Sequence, residues 1–188
     1  MLPPREIRMK VCVVGTSRAG KTALVHRLVH DDFGNAPRPE TAARVSRALL
    51  PVRAPWSGET WNVSFHLWDI VGDTRDPDVI GTYLRQASAL VVVADLTHPE
   101  AFEDVDLWID GVREVAGTVP VAILGNKLDL VDFGDLDWSP LAMASARFSA
   151  PLLPTSAKRG DNVRAAFVTV AEMGLARENG IPLIDAAS

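Results

Sequence analysis

"GTSRAGKT", Gly15 to Thr22, is the stretch on which the reading of this chain turns. It has the form G-x-x-x-x-G-K-[ST], in which successive backbone N–H groups curl around a phosphate chain. Glycines at both ends, Gly15 and Gly20, permit the curl. Ser17, Arg18 and Ala19 form the crown of the loop, and Ala23 follows it into a helix whose N-terminus adds a positive dipole end. Lys21 is placed to reach the outer phosphates and the Thr22 hydroxyl to bind Mg²⁺. At average residue usage the pattern arises by chance in a chain this long about once in a hundred or more.

The flanks support the same reading. "MKVCVVG" (9–15) is an apolar strand, and a helix follows over 21–30 with Ala23, Leu24, Leu28 and Val29 inward. Strands "RVSRALLPV" and "TWNVSFHLWD" surround the turn-like "APWSGE". In the second, Trp61, Val63, Phe65 and Leu67 alternate with Asn62, Ser64, His66 and Trp68, the period of a hairpin with unlike faces. Trp56 and Trp61 flank that turn, as core lids or as a partner patch. Asp76 as N-cap and Pro77 at the first turn predict a helix start. Beyond it the pattern predicts strand 89–95, helix 99–116, strand 119–125, helix 139–148, a short strand "PLLPT" and a closing helix 162–178. The order β-α-β-β-α-β-α-β-α-β-α specifies an α/β fold with a mainly parallel sheet covered on both faces. In such sheets the ligand site lies at the C-terminal ends of the strands, and the motifs fall there.

Bulk properties narrow the class. The 188 residues suffice for one domain, with a core over about 8–178 and short tails. Hydrophobic content of 47% against 23% charged residues is globular rather than disordered. A net charge of -5 argues against nucleic acid or an anionic membrane as a general partner. The single cysteine, Cys12, sits in an apolar run and reads as a core thiol, which suits a reducing, cytoplasmic setting. "MLPPREIRMK" has no secretory h-region, the apolar runs are too short to cross a bilayer, and no lipidation motif is present. Membrane attachment would come through a partner. The four histidines show no metal spacing and read as structural or exposed.

Two further motifs together have the pattern of a guanine site, though each alone is weak. "GNKLD" (125–129) and "TSAK" (155–158) each follow a strand. The Asp129 carboxylate can accept from both the ring N–H and the amino group of guanine; adenine would leave it unpaired. Asn126 would brace the loop and reach the ring edge, the Lys127 stem would cover the base, and the Ala157 N–H would donate to the guanine carbonyl. Leu130, Ser156 and Lys158 complete the expected base contacts.

With "WDIVG" (68–72) between them, these motifs stand in the order of the small Ras-like GTPases, which the chain resembles over about residues 8–178, closest to the Rab and Rho branches. The resemblance implies a P-loop fold: six mostly parallel strands with one antiparallel, and helices on both faces. It implies a switch that binds GTP and Mg²⁺, hydrolyses GTP to GDP, and shows effector and regulator proteins two loops, residues 33–45 and 72–85. It places Phe33 against the guanine, with a loop hydrophobe packed on the core as the alternative. Asp69 would hold Mg²⁺ and the Gly72 N–H would bond the γ-phosphate. Thr41 is the one threonine available to join Thr22 and Asp69 at the metal, one residue later after Phe33 than the usual spacing; an exposed loop residue is the alternative. The expected protein is a monomer by itself.

The chain departs from the family at Asp73, where a water-positioning glutamine is usual, and at Ser17 and Arg18 in the phosphate loop. An ionised Asp73 only accepts hydrogen bonds. At about 6 Å and an effective dielectric near 20, its charge costs the anionic γ-phosphate roughly 3 kcal/mol before screening. Arg18 and Arg75 are local counter-charges, or solvated surface residues. Slow hydrolysis by Lys21, Thr41, Gly72 and Asp73 is the expectation, and a nucleotide-binding module that does not cycle is the alternative.

Overall fold

The computed structural model describes residues 5–34, 43–54, 56–71 and 77–180, with 77–80 as backbone. Thr41, Gly72, Asp73, Arg75 and Asp76 lie outside the described residues.

The long central strands follow from their composition. β4 (Ala89–Asp95) is buried throughout and β1 (Arg5–Gly15) over its valine-rich C-terminal half, while β3 (Thr60–Ile70) alternates buried with half-buried side chains along most of its length. Fully covered strands of this kind belong in a parallel sheet. The six strands, with β2 (Ala43–Arg53), β5 (Val121–Asn126) and β6 (Leu152–Pro154), lie in the order β2-β3-β1-β4-β5-β6. Among the described residues only β2 and β3 pair antiparallel. Their hairpin closes through Ala54, whose N–H donates to Glu59 O at 2.9 Å and whose carbonyl accepts Gly58 N–H at 2.8 Å. β2 is an edge strand with polar and apolar residues mixed on its open side.

The helices sort to two faces. α1 (Lys21–His30) and α5 (Val163–Glu178) pack with Met9, Val11, Val63, Phe65, Val91 and Leu124. α2 (Pro77–Leu84), α3 (Asp104–Ala116) and α4 (Ser139–Phe148) cover Cys12, Val14, Leu90, Val92 and Ile123. Alternation along each strand sends successive side chains to opposite faces, which divides the core into these two layers. Phe65 and Phe167 meet edge-to-face with ring centroids 6.3 Å apart, locking α5 to the sheet centre.

Several boundaries differ from the sequence expectation. β1 begins at Arg5, because pairing with Trp61 extends it. The segment 99–116 splits into a 3-10 turn at Pro99–Ala101 and α3, since Pro99 starts a short turn that ends before the amphipathic stretch. β5 runs from Val121 to Asn126. In α1, Val25 is buried with Leu24, while Ala23, Leu28 and Val29 are half-buried. Trp61 is a core residue, whereas Trp56 is exposed at the turn. Among the described residues no helix is long and apolar enough to cross a membrane.

Cys12 is fully buried and its thiol is pushed up to about 12 by burial, with the nearby Lys10 opposing. The folded protein should therefore resist iodoacetamide at pH 8 and react once unfolded in urea, a contrast that mass spectrometry reads directly. Phe167→Ala should cost about 3–5 kcal/mol in urea unfolding, whereas Met143→Ala on exposed α4 should stay within about 0.5 kcal/mol.

Candidate functional site: a phosphate loop joined to a base-reading loop

Burying polar side chains is costly, so where they cluster is informative. Among the described residues the buried polar or charged ones are Lys21, Asp69, Asp95, Asn126, Thr155 and Ser156. All six lie at or just beyond the C-terminal ends of β1, β3, β4, β5 and β6.

The phosphate loop leaves β1 at Gly15. That residue has φ +136, and a Cβ there would stand 2.2 Å from the Val93 carbonyl oxygen of β4. A backbone neighbour cannot yield, so only glycine fits. Gly20, at φ +93, leads into α1, and a Cβ there would meet the Asn126 amide at 2.3 Å. Between them Ser17 and Arg18 are exposed, Arg18 with left-handed backbone at φ 64, and Ala19 is fully buried. The buried Lys21 folds back over the loop, its Nζ donating to Gly15 O at 3.0 Å and Thr16 O at 2.8 Å. Those carbonyls hold the ammonium beneath the curl that it would share with phosphate oxygens.

Thr22 Oγ1 donates to Asp69 Oδ2 at 2.5 Å, which brings together two of the three expected metal ligands. Asp69 is 2% exposed, and burial holds its carboxyl above the usual range although Thr22, Lys21 and Arg44 oppose that. A buried carboxylate short of compensating charge, beside a hydroxyl oxygen, is a hard-oxygen donor set. Mg²⁺ takes one or two protein ligands of this type and completes its shell with phosphate and water, so the residues present fit it. No group of three His, Cys, Asp or Glu side chains forms a protein-only metal cage among the described residues.

Asn126 ends β5 and is 1% exposed. Its Nδ2 donates to Ala19 O at 2.9 Å, and its Oδ1 accepts the Ala157 N–H at 3.2 Å and the Thr155 hydroxyl at 3.5 Å. One amide thus clamps the phosphate loop to both base loops. The Ala157 N–H, expected to face the guanine carbonyl, is directed at Asn126 instead. Asp129 Oδ1 accepts the Ser156 hydroxyl at 2.5 Å, and Ser156 Oγ accepts the Arg159 N–H at 3.0 Å. Lys127 has left-handed backbone at φ 69 and sends its Nζ to Asp95 Oδ2. Leu130 closes the 3-10 turn Leu128–Leu130 through its N–H, but its side chain is 62% exposed. Ala23 is half-buried on α1, Lys158 is exposed, and Phe33 is 45% exposed rather than packed into the core.

Sequence reasoning missed two supports. Arg27, on α1, donates through Nε to Ala157 O at 2.8 Å, through Nη2 to Lys158 O at 2.6 Å, and through Nη1 to Asp31 O at 2.8 Å. It ties the "TSAK" loop to the turn just before Phe33. Asp95, at the end of β4, is the second; with Thr97 and His98 it forms a cluster against Lys127. Neither lies in a motif with a spacing that marks it, apart from Arg27 facing inward from α1.

A phosphate-loop curl joined by a shared asparagine to the loops that carry Asp129 and Ala157, at the C-terminal ends of the strands, is the arrangement of a small GTP-binding protein. The Ras family model matches residues 10–175. Ras-related protein Rab-24 of Dictyostelium discoideum is 32% identical over 177 residues, 93% of this chain and 84% of that one. GTP-binding protein YPT53 of Saccharomyces cerevisiae is 31% identical over 173 residues, 88% of this chain and 76% of that one. The chain belongs to the Ras family, and its relatives place it on the Rab branch of the small GTPases.

Replacing Asn126 by alanine would orphan the buried Ala19 carbonyl and Ala157 N–H together. Stability should fall by about 2–4 kcal/mol in urea unfolding without nucleotide, since each such group costs about 1–3 kcal/mol.

Proposed function

We propose that the chain is a switch domain, residues 8–178 acting as one unit, that binds Mg–GTP across the phosphate and base loops and hydrolyses it slowly to GDP. The observation that carries this reading is the Asn126 clamp, which brings Lys21, Thr22 and Asp69 to the same edge as Asp129 and Ser156.

Each residue then has a defined part. Backbone N–H groups of 15–22 and Lys21 would hold the β- and γ-phosphates, neutralising charge that spreads over the outer oxygens as the bond to the leaving group loosens. Thr22 and Asp69, with Thr41, would hold Mg²⁺, which supplies charge neutralisation on the phosphates when bound. The Gly72 N–H would bond the γ-phosphate, and Asp73 would face the attacking water. Asp129, with Ser156 fixing one oxygen, would accept from guanine, while Asn126, Ala157, Lys158 and Leu130 frame the base and Phe33 and the Lys127 stem cover it. The exposure of Phe33 is what such a cover requires before a base is present. Effector and regulator proteins would read residues 33–45 and 72–85. Within that surface Val45 is 46% exposed on β2, and Tyr83 contacts Trp68 with centroids 5.9 Å apart. The protein would work as a monomer in the cytoplasm.

Asp73 favours a second reading, a nucleotide-gated module with negligible turnover, because an anionic acceptor repels the γ-phosphate where a neutral glutamine donates to it. Chromatography of the nucleotide retained on purification separates the cases. GTP signals slow or absent turnover, GDP an active hydrolase, and an empty site overturns the proposal. Single-turnover hydrolysis should rise about tenfold or more in Asp73→Gln, within the charge term of roughly 3 kcal/mol; a wild-type rate equal to the variant's removes Asp73 from the mechanism. Asp129→Asn should transfer preference from guanine to xanthine nucleotides, and continued tight GTP binding would exclude Asp129 as the base reader.

A further inference from the structure

Asp95 is a carboxylate 4% exposed, beside the proposed nucleotide site but outside every motif that marks it. Strand register sets it opposite Asn126 at the last rung of β4 and β5. Its Oδ1 accepts the Thr97 N–H at 3.0 Å and the Thr97 hydroxyl at 2.7 Å. Its Oδ2 accepts Lys127 Nζ at 2.5 Å, with His98 Nδ1 at 3.3 Å on the same oxygen. Burial raises the carboxyl's pKa, but the hydrogen bonds from Lys127 and Thr97 outweigh it and the net direction is down. The group is therefore ionised at neutral pH and needs its cation.

The geometry gives that need a consequence. Lys127 leaves the chain in left-handed backbone, one residue past Asn126 and two before Asp129. A free lysine stem samples many rotamers, and ordering it on ligand binding weakens the binding. Here the far end is already held, at a side-chain exposure of 27% for Lys127 and 6% for Asp95, so water screens the pair far less than a surface one. Thr97 in turn fixes the carboxylate's rotation. We propose that Asp95 is a positioning residue for nucleotide retention: it pre-orders the Lys127 stem as the wall over the base and so slows guanine-nucleotide dissociation. This rests on the nucleotide reading above.

The test uses the full chain loaded with fluorescent mant-GDP and chased with excess GDP, with Mg²⁺ and again with EDTA. Asp95→Asn, nearly isosteric, should speed dissociation about tenfold, the scale of one lost charge-assisted hydrogen bond. The factor should be the same with and without Mg²⁺, because the defect lies at the base and not at the phosphates. On a Lys127→Met background Asp95→Asn should add nothing, since its effect runs through that lysine. Thr97→Val should raise the rate a few-fold on the wild-type background only, which provides a second reading should Asp95→Asn fold poorly. The inference is overturned by an Asp95→Asn rate within about twofold of wild type, or by an equal acceleration on the Lys127→Met background, which would mark a structural role. A wild-type chain that does not retain mant-GDP overturns the nucleotide reading itself, a different outcome from either.

Discussion

The side-chain amide of Asn126 is the constraint on which the site depends. It is 1% exposed, with its donor spent on Ala19 O and its acceptor on the Ala157 N–H. An amide in the interior must satisfy both ends or incur the full desolvation penalty. The two loops it joins come from the ends of β1 and β6, strands that do not touch in the sheet. Asn126 ends β5, which lies between β4 and β6. One residue thus converts strand order into a fixed spacing between the 15–22 loop and the 155–158 loop. Gly20 belongs to the same constraint, because a Cβ there would occupy the space of the Asn126 amide.

Around that clamp the protein gathers its buried charge. Lys21, Asp69 and Asp95 are each under about a tenth exposed, and each is held by a different device. Backbone carbonyls hold Lys21, a threonine hydroxyl meets Asp69, and Lys127 with Thr97 holds Asp95. Asp95 is compensated enough for its pKa to fall, whereas Asp69 is not and its pKa rises. The difference has a physical cause: Asp95 has the Lys127 ammonium in contact, whereas at Asp69 the Thr22 hydroxyl and the charges of Lys21 and Arg44 do not outweigh burial.

Much of this was legible beforehand. α1 over 21–30, β4 over 89–95 and α4 over 139–148 agree with the expected bounds, because glycines, prolines and clean periodicity punctuate them. The boundaries that moved did so where a distant partner acts: Trp61 draws β1 out to Arg5, and Pro99 separates a 3-10 turn from α3. The phosphate-loop pattern was visible because its spacing along the chain is local. Arg27 and Asp95 were not, since their partners are 130 and 32 residues away and no local pattern announces them.

By itself the sequence determined the fold class and the family motifs, the phosphate-loop pattern among them. Each depends on residue type at short range: a glycine where a Cβ cannot fit, and alternation that matches a sheet. Only the tertiary structure decided how those pieces meet. It turned Asn126 into a clamp, assigned Trp61 to the core and Trp56 to the surface, and directed Lys127 toward Asp95. Those outcomes depend on which strands become neighbours and how closely their ends approach, which pairing across the whole sheet sets and spacing along the chain does not.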